Sequence, residues 1–254
     1  MTTGNVDFAL VAIIGFFMFF TGLVIYLRRE DRREGYPLEE DGNGRVRSSG
    51  GLLFTAQPKT FLLPGGAGTY TAPNKQRDQR ELSARRSSRA PGSPLLPVGD
   101  PMLAGVGPGA YAERAKTPDL TAHGDPVIVP MSALPGFSVV KGDGDPRGMT
   151  VRGADHKTAG KVTEIWIDRS EAMIRYLEVA LEGDARTVLL PMTVALVDKS
   201  RKIVRVDAIT GAQFANVPAI AGSAQITLDE EERITAYYGG GFLYATPGRS
   251  EPLL

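Results

Sequence analysis

Twenty consecutive residues without a charge, Phe8 to Leu27 (FALVAIIGFFMFFTGLVIYL), constrain this chain more than any other feature. At 1.5 Å rise per residue, a helix over this run is about 30 Å long, the thickness of a bilayer's hydrocarbon. Buried helices of soluble proteins seldom stay apolar on every face over such a length. A membrane-spanning helix is therefore expected over residues 8–27. A cleavable signal peptide fits less well, because no basic region precedes the run and no small-x-small site follows it. Arg28, Arg29, Arg32 and Arg33 come directly after, while the preceding flank carries only Asp7. The positive-inside rule then places residues 1–7 in the periplasm and residue 28 onward in the cytoplasm. Tyr26 suits the interface, and Gly15 and Gly22 are not at dimer-motif spacing.

The rest of the chain is poor in the side chains that carry hard chemistry. It has no cysteine, which excludes disulfides, thiolate metal sites and cysteine nucleophiles, and only two histidines, His123 and His156. Formal net charge is zero, so no general attraction to nucleic acid is indicated. No P-loop, dinucleotide fingerprint, HExxH, GxSxG or EF-hand loop occurs. Gly65-Gly66-Ala67-Gly68 reads as a turn, since no helix follows to cradle a phosphate. The residues give no enzyme.

Residues 28–148 read as a membrane-proximal extended arm. The helix is expected to continue a turn or two past Arg28 and to end at Gly35 and Pro37. Thr60–Leu63 and Gly68–Thr71 read as short strands around Pro64-Gly65-Gly66. Asn74 to Arg89 is a basic run without aromatic residues to stack on bases, hence a solvated loop. Pro91–Pro108 is too rich in proline for regular elements. The arm's apolar content (Leu52, Leu53, Phe54, Phe61, Leu62, Leu63, Leu95, Leu96, Met102 and Leu103) is too high for pure disorder. It is expected to take its order from a partner.

Residues 149–254 change character. Lys161–Asp168 alternates, with Thr163, Ile165 and Ile167 on one face and Val162, Glu164 and Trp166 on the other. Ile174–Leu181 places Arg175, Leu177, Val179 and Leu181 together. Arg186–Pro191, Thr193–Val197 and Lys202–Val206 follow at roughly ten-residue spacing, which predicts a small antiparallel sheet or barrel. Thr210–Asn216 reads as a helical turn. Thr227 is an N-cap, with Asp229, Glu230 and Glu231 in a first turn where the helix dipole favours negative charge. This helix is expected to run to Tyr238 and stop at Gly239-Gly240-Gly241.

One constellation is a candidate for chemistry. Asp168, Glu171 and Arg175 flank the loop between two paired strands and can converge at one end of the sheet. Their arrangement suits either an ordinary surface salt bridge or a cluster that relays protons.

Several motifs in order resemble the H subunit of the purple bacterial photosynthetic reaction centre, across essentially the whole chain. They include Arg33-Glu34-Gly35-Tyr36-Pro37-Leu38-Glu39, Pro58-Lys59-Thr60-Phe61, Gly99-Asp100-Pro101-Met102, Gly105-Val106-Gly107-Pro108, Ala159-Gly160-Lys161-Val162, Ile165-Trp166, Tyr176-Leu177-Glu178-Val179, Leu189-Leu190-Pro191-Met192 and Leu243-Tyr244-Ala245. The resemblance implies a single transmembrane helix, a cytoplasmic PRC-barrel with a C-terminal helix, and a non-catalytic subunit of the intracytoplasmic membrane. Its partners would be the L and M subunits, membrane lipids and the surrounding light-harvesting antenna. Bacteriochlorophyll, bacteriopheophytin, quinones and non-haem iron would belong to L and M, with none bound by this chain.

Its roles would be assembly, shielding of the quinone region and proton transfer to the secondary quinone. Glu171 matches the family's proton-carrying carboxylate, with Asp168 and Arg175 beside it. The family's uptake point has two imidazoles and an aspartate. This chain has His123-Gly124-Asp125, with Thr121 at the acidic position and Asp119 two residues earlier, so one imidazole and one carboxylate are missing. The alternative is a membrane-tethered PRC-barrel adaptor without a photosynthetic role.

Overall fold

A computed structural model describes residues 7–36, 38–40, 45–47, 56–66, 68–74, 80–90 and 92–250. Leu52, Leu53 and Phe54, and residues 75–79 of the basic run, lie outside these. The chain forms two compact units, residues 1–79 with 89–92, and residues 80–88 with 93–254.

In the first unit the apolar run is one helix, α1 (Phe8–Glu30), opened by Asp7, whose carboxylate accepts from the backbone N–H of Ala9 and Leu10. None of its side chains is buried within the chain, and its mean hydropathy reaches 2.6. The helix ends earlier than the sequence suggested. Arg33 lies in the turns that follow, where its guanidinium donates to both carboxylate oxygens of Glu30 at 2.8 Å and to the carbonyls of Gln57 (2.5 Å) and Ala72 (3.0 Å). Those bonds hold the C-terminal end of α1 against a hairpin. Strands β1 (Leu38–Glu39) and β2 (Val46–Arg47) pair antiparallel. So do β3 (Lys59–Leu62) and β4 (Thr69–Ala72), the hairpin expected around Pro64–Gly66.

In the second unit β5 (Ala84–Arg86) pairs with β6 (Leu95–Pro97), so the proline-rich stretch does hold a short strand. Its prolines do not prevent this, because a two-stranded ribbon leaves one edge of each strand free of ladder bonds. The main sheet contains β7 (Ile128–Pro130), β8 (Thr150–Arg152), β9 (Thr158–Asp168), β10 (Met173–Leu181), β11 (Thr187–Pro191), β12 (Ala195–Asp198) and β13 (Ile203–Val206). Its order is β11-β10-β9-β8-β13-β12, with β7 also on β9. All pairs are antiparallel except β13 with β8. Residues 100–131, read as part of the arm, send Met102, Val127, Ile128 and Met131 into the same core as Val151, Ile165, Trp166, Leu177 and Leu190. Much of this order is therefore internal to the chain.

The simple alternation expected for β9 and β10 fails at two bulges. Glu178 faces Glu164 while Val179 faces Val162, which leaves Thr163 as an extra residue. The inserted residue shifts the phase, so Val162, Ile165 and Ile167 are all buried and Thr163 is exposed. Likewise Ile174 faces Ile167 and Tyr176 faces Trp166, leaving Arg175 unpaired. That bulge takes Arg175 off the core face of Leu177, Val179 and Leu181, where the sequence had placed it.

Helix α2 (Leu228–Tyr244) starts as expected, with a capping box between Thr227 and Glu230. It does not stop at its glycines. A Cβ on Gly239 would lie 2.9 Å from the Pro108 carbonyl oxygen, one on Gly240 would lie 3.2 Å from Gly109 Cα, and one on Gly241 would strike the Ala208 carbonyl. Each glycine costs the helix about 1 kcal/mol in propensity. Close packing of backbone on backbone offsets that cost. Tertiary contact, not termination, explains the triplet.

Candidate functional site

The first turn of α2, the β9–β10 loop and the chain from Pro108 to Ile128 enclose a solvent-open groove of about 770 Å³. Asp168, Glu171, Arg175 and Asp119 all line it, together with Tyr176, Glu231, Glu232 and Arg114. The three residues expected to converge do converge, and the geometry assigns them different duties.

Asp168 ends β9 and is buried. Its Oδ1 accepts from the backbone N–H of Ser170 (2.9 Å) and Glu171 (3.0 Å), so it shapes the loop that carries Glu171. Glu171 itself is exposed, and its carboxylate makes no ion pair among the described residues. Arg175 pairs with neither of them. Turned outward by its bulge, it places a guanidinium nitrogen 3.9 Å from Oε2 of Glu231.

Glu231 is the residue that sequence reading missed. It had been assigned only to the helix dipole. Its Oε2 also accepts a 3.0 Å hydrogen bond from the hydroxyl of Tyr176, whose side chain is buried between sheet and helix. Burial raises the Glu231 carboxyl above the usual carboxylate range; the Tyr176 bond and Arg175 oppose the rise, while Asp119 and Asp168 add to it. Tyr176 is itself raised, first by burial and then by the adjacent Glu231 charge. Four acids in a row, Asp229 to Glu232, exceed what a helix N-terminus needs, and that surplus was the available signal.

The neighbouring acids are otherwise engaged. Asp229 accepts from the Arg114 backbone N–H and pairs with Arg233 at 2.9 Å. Glu232 accepts from the Ala112 N–H and pairs with Arg114 at 3.4 Å. These contacts run the segment 112–117 along the start of α2.

Asp119 and the His123/Asp125 pair occupy opposite ends of one small loop. Leu120 bridges Pro126, and the Val127 N–H donates to the Asp119 carbonyl, which leaves Asp119 at the groove. At the tip, Thr121 Oγ1 accepts from the N–H groups of His123 and Asp125, which closes the turn. His123 and Asp125 are exposed, and Asp125 reaches Arg169 at 3.6 Å, next in sequence to Asp168. No group of three or more possible metal ligands is found among the described residues.

A family model for the photosynthetic reaction centre H-chain N-terminal region matches residues 1–133, just over half of the chain. The chain belongs to the reaction-centre H-chain family. A second model, for the PRC-barrel domain, matches residues 138–213, the stretch holding β8 to β13. The first match separates this chain from a PRC-barrel adaptor of other purpose, because it covers α1 and the segments that follow. Membership makes it a structural subunit rather than a member of an enzyme family, associated with the L and M subunits, with the cofactors on those partners. One apolar N-terminal helix fits a single-pass membrane protein.

Proposed function

We propose that the groove assists proton delivery to the secondary quinone held by the partner subunits, while the cytoplasmic domain covers the quinone region and excludes water. The observation that carries this reading is one open groove lined by Asp119, Asp168, Glu171 and Glu231, two of them exposed and one held above its ordinary pKa. Carboxylates of differing proton affinity in a water-filled space can exchange protons in steps. Arg175 keeps the cluster from carrying only negative charge. His123 and Asp125, at the exposed loop tip, supply an uptake point, and Arg169 links that tip to the strand end at Asp168.

Shielding is the second part of this reading. A low-dielectric cover strengthens electrostatic interaction at a charged semiquinone and limits proton leakage. The positive-inside pattern supports a cytoplasmic position for this domain, within an intracytoplasmic membrane assembly.

Glu171→Gln tests the relay in the assembled complex. The second, proton-coupled electron transfer should slow and recover partly with a small diffusible weak acid, while the first charge separation stays unchanged. An unaltered second transfer from neutral to alkaline pH would remove Glu171 as a required relay.

A further inference from the structure

The β3–β4 hairpin exposes more apolar surface than a solvated ribbon of its size has reason to carry. Phe61 is 38% exposed, Leu62 88%, Leu63 40% and Tyr70 37%. Single exposed apolar residues mean little, but four within ten residues form a patch. They also occupy both faces. Phe61 and Tyr70 are cross-strand partners on one face, whereas Leu62, opposite Thr69, points to the other. A ribbon laid on a protein surface needs one apolar face. A ribbon apolar on both faces at its tip is suited to being surrounded.

Its position is set by Arg33, which joins Glu30, the last residue of α1, to the carbonyls of Gln57 and Ala72 at the hairpin's base. With Phe8–Leu27 filling the hydrocarbon, the helix end at Glu30 falls about 4.5 Å beyond it, and Arg33, bonded to Glu30, holds the hairpin's base at that headgroup depth. Four residues of strand then give the ribbon a reach of roughly 13 Å, enough to return to the acyl boundary. The side chains of α1 are themselves unburied within the chain, and its apolar run ends next to this base.

We infer that the β3–β4 hairpin is an interfacial membrane anchor, seating Phe61, Leu62 and Leu63 among lipid acyl chains beside the cytoplasmic end of α1. Aromatic residues prefer this depth, and Tyr70 can keep its hydroxyl in the headgroup layer while its ring is covered. The hairpin would then be a second hold on the bilayer and would restrain the tilt and rotation of a helix that crosses only once.

The absence of native cysteine allows a direct test. Leu62→Cys, labelled with an environment-sensitive fluorophore, is assembled with unlabelled partner subunits in phosphatidylcholine/phosphatidylglycerol vesicles, with labelled Lys161→Cys as the exposed control. Doxyl-labelled lipid should quench the Leu62 probe and not the control, and iodide should quench it about fivefold less than the control, as expected for a side chain at the acyl boundary. Equal iodide quenching at both positions would overturn the inference. Shielding from both quenchers would overturn it as well, because the tip would then be packed against protein. Quenching needs only that the labelled complex assemble, which its absorption spectrum reports, and neither outcome depends on the proton-delivery reading.

Discussion

The Tyr176 hydroxyl donates to Oε2 of Glu231, 55 positions later in the chain, and so couples strand β10 to the first turn of α2 at the wall of the groove. Tyr176→Phe should keep the packing, lose this bond and destabilise the full-length chain by about 1.5–3 kcal/mol, the range for a bond to a charged acceptor. Denaturant titration in detergent checks this. A change below a few tenths of a kcal/mol would mean that water replaces the phenol without cost.

Glu231→Gln should alter the pH dependence of stability in a defined direction. A carboxyl raised above its unfolded value binds its proton more tightly when folded. Its contribution is therefore complete below the unfolded pKa, near 4.5, and is lost as pH rises through the folded value. The substitution should remove this loss and flatten the stability curve just above pH 4.5. Gln can still accept from Tyr176, which keeps the comparison clean.

Asp155 should act in the opposite sense. Burial works to raise its pKa, but the N–H groups of Gly211 (2.9 Å) and Lys157 (3.3 Å) outweigh it, and the carboxyl lies below its ordinary value. Its contribution is present above the unfolded pKa, near 3.8, and is lost as pH falls through the folded value. Asp155→Asn should destabilise at neutral pH and reduce the acid-side slope, as acid titration of the unfolding midpoint would show.

Gly241→Ala should destabilise even though alanine is the better helix former by about 1 kcal/mol. The new Cβ would meet the Ala208 carbonyl and sit 2.5 Å from Ile209 Cγ2, so the expected net loss is about 2 kcal/mol. Gly222→Ala, with nothing within 4 Å of its Cβ, is the control and should be near neutral. Equal effects at both positions would contradict the packing argument.

These contrasts show where local reading sufficed. The membrane helix, the β3–β4 hairpin and the start of α2 are set by neighbours in sequence: an uncharged run, a Pro-Gly turn, a capping box. The bulges at Thr163 and Arg175 were not legible, because an unpaired residue is defined only against its partner strand. The run of the helix through Gly239–Gly241 was hidden for a similar reason, since the backbone requiring those glycines lies at Pro108, Gly109 and Ala208. Half of the groove could be found from Asp168, Glu171 and Arg175, which share one hairpin. The other half comes from α2 and from Asp119, and only the folded chain brings them together.

The glycine face of α2 also governs how finely the groove is gauged. Where side chains mesh, a core can drift by rotamer changes and carry a helix with it. Main chain against main chain has no rotamers to yield, so Gly239 and Gly240 index the helix against Pro108 and Gly109. Glu231 stands eight residues before Gly239, about 12 Å along a rigid rod, and its bearing is inherited from that index. Core residues can therefore diverge widely in volume without moving the carboxylate. A single residue inserted between Glu231 and Gly239 would instead swing Glu231 about 100° around the helix axis, away from Tyr176 and Arg175, while leaving every side chain of the groove in place by composition.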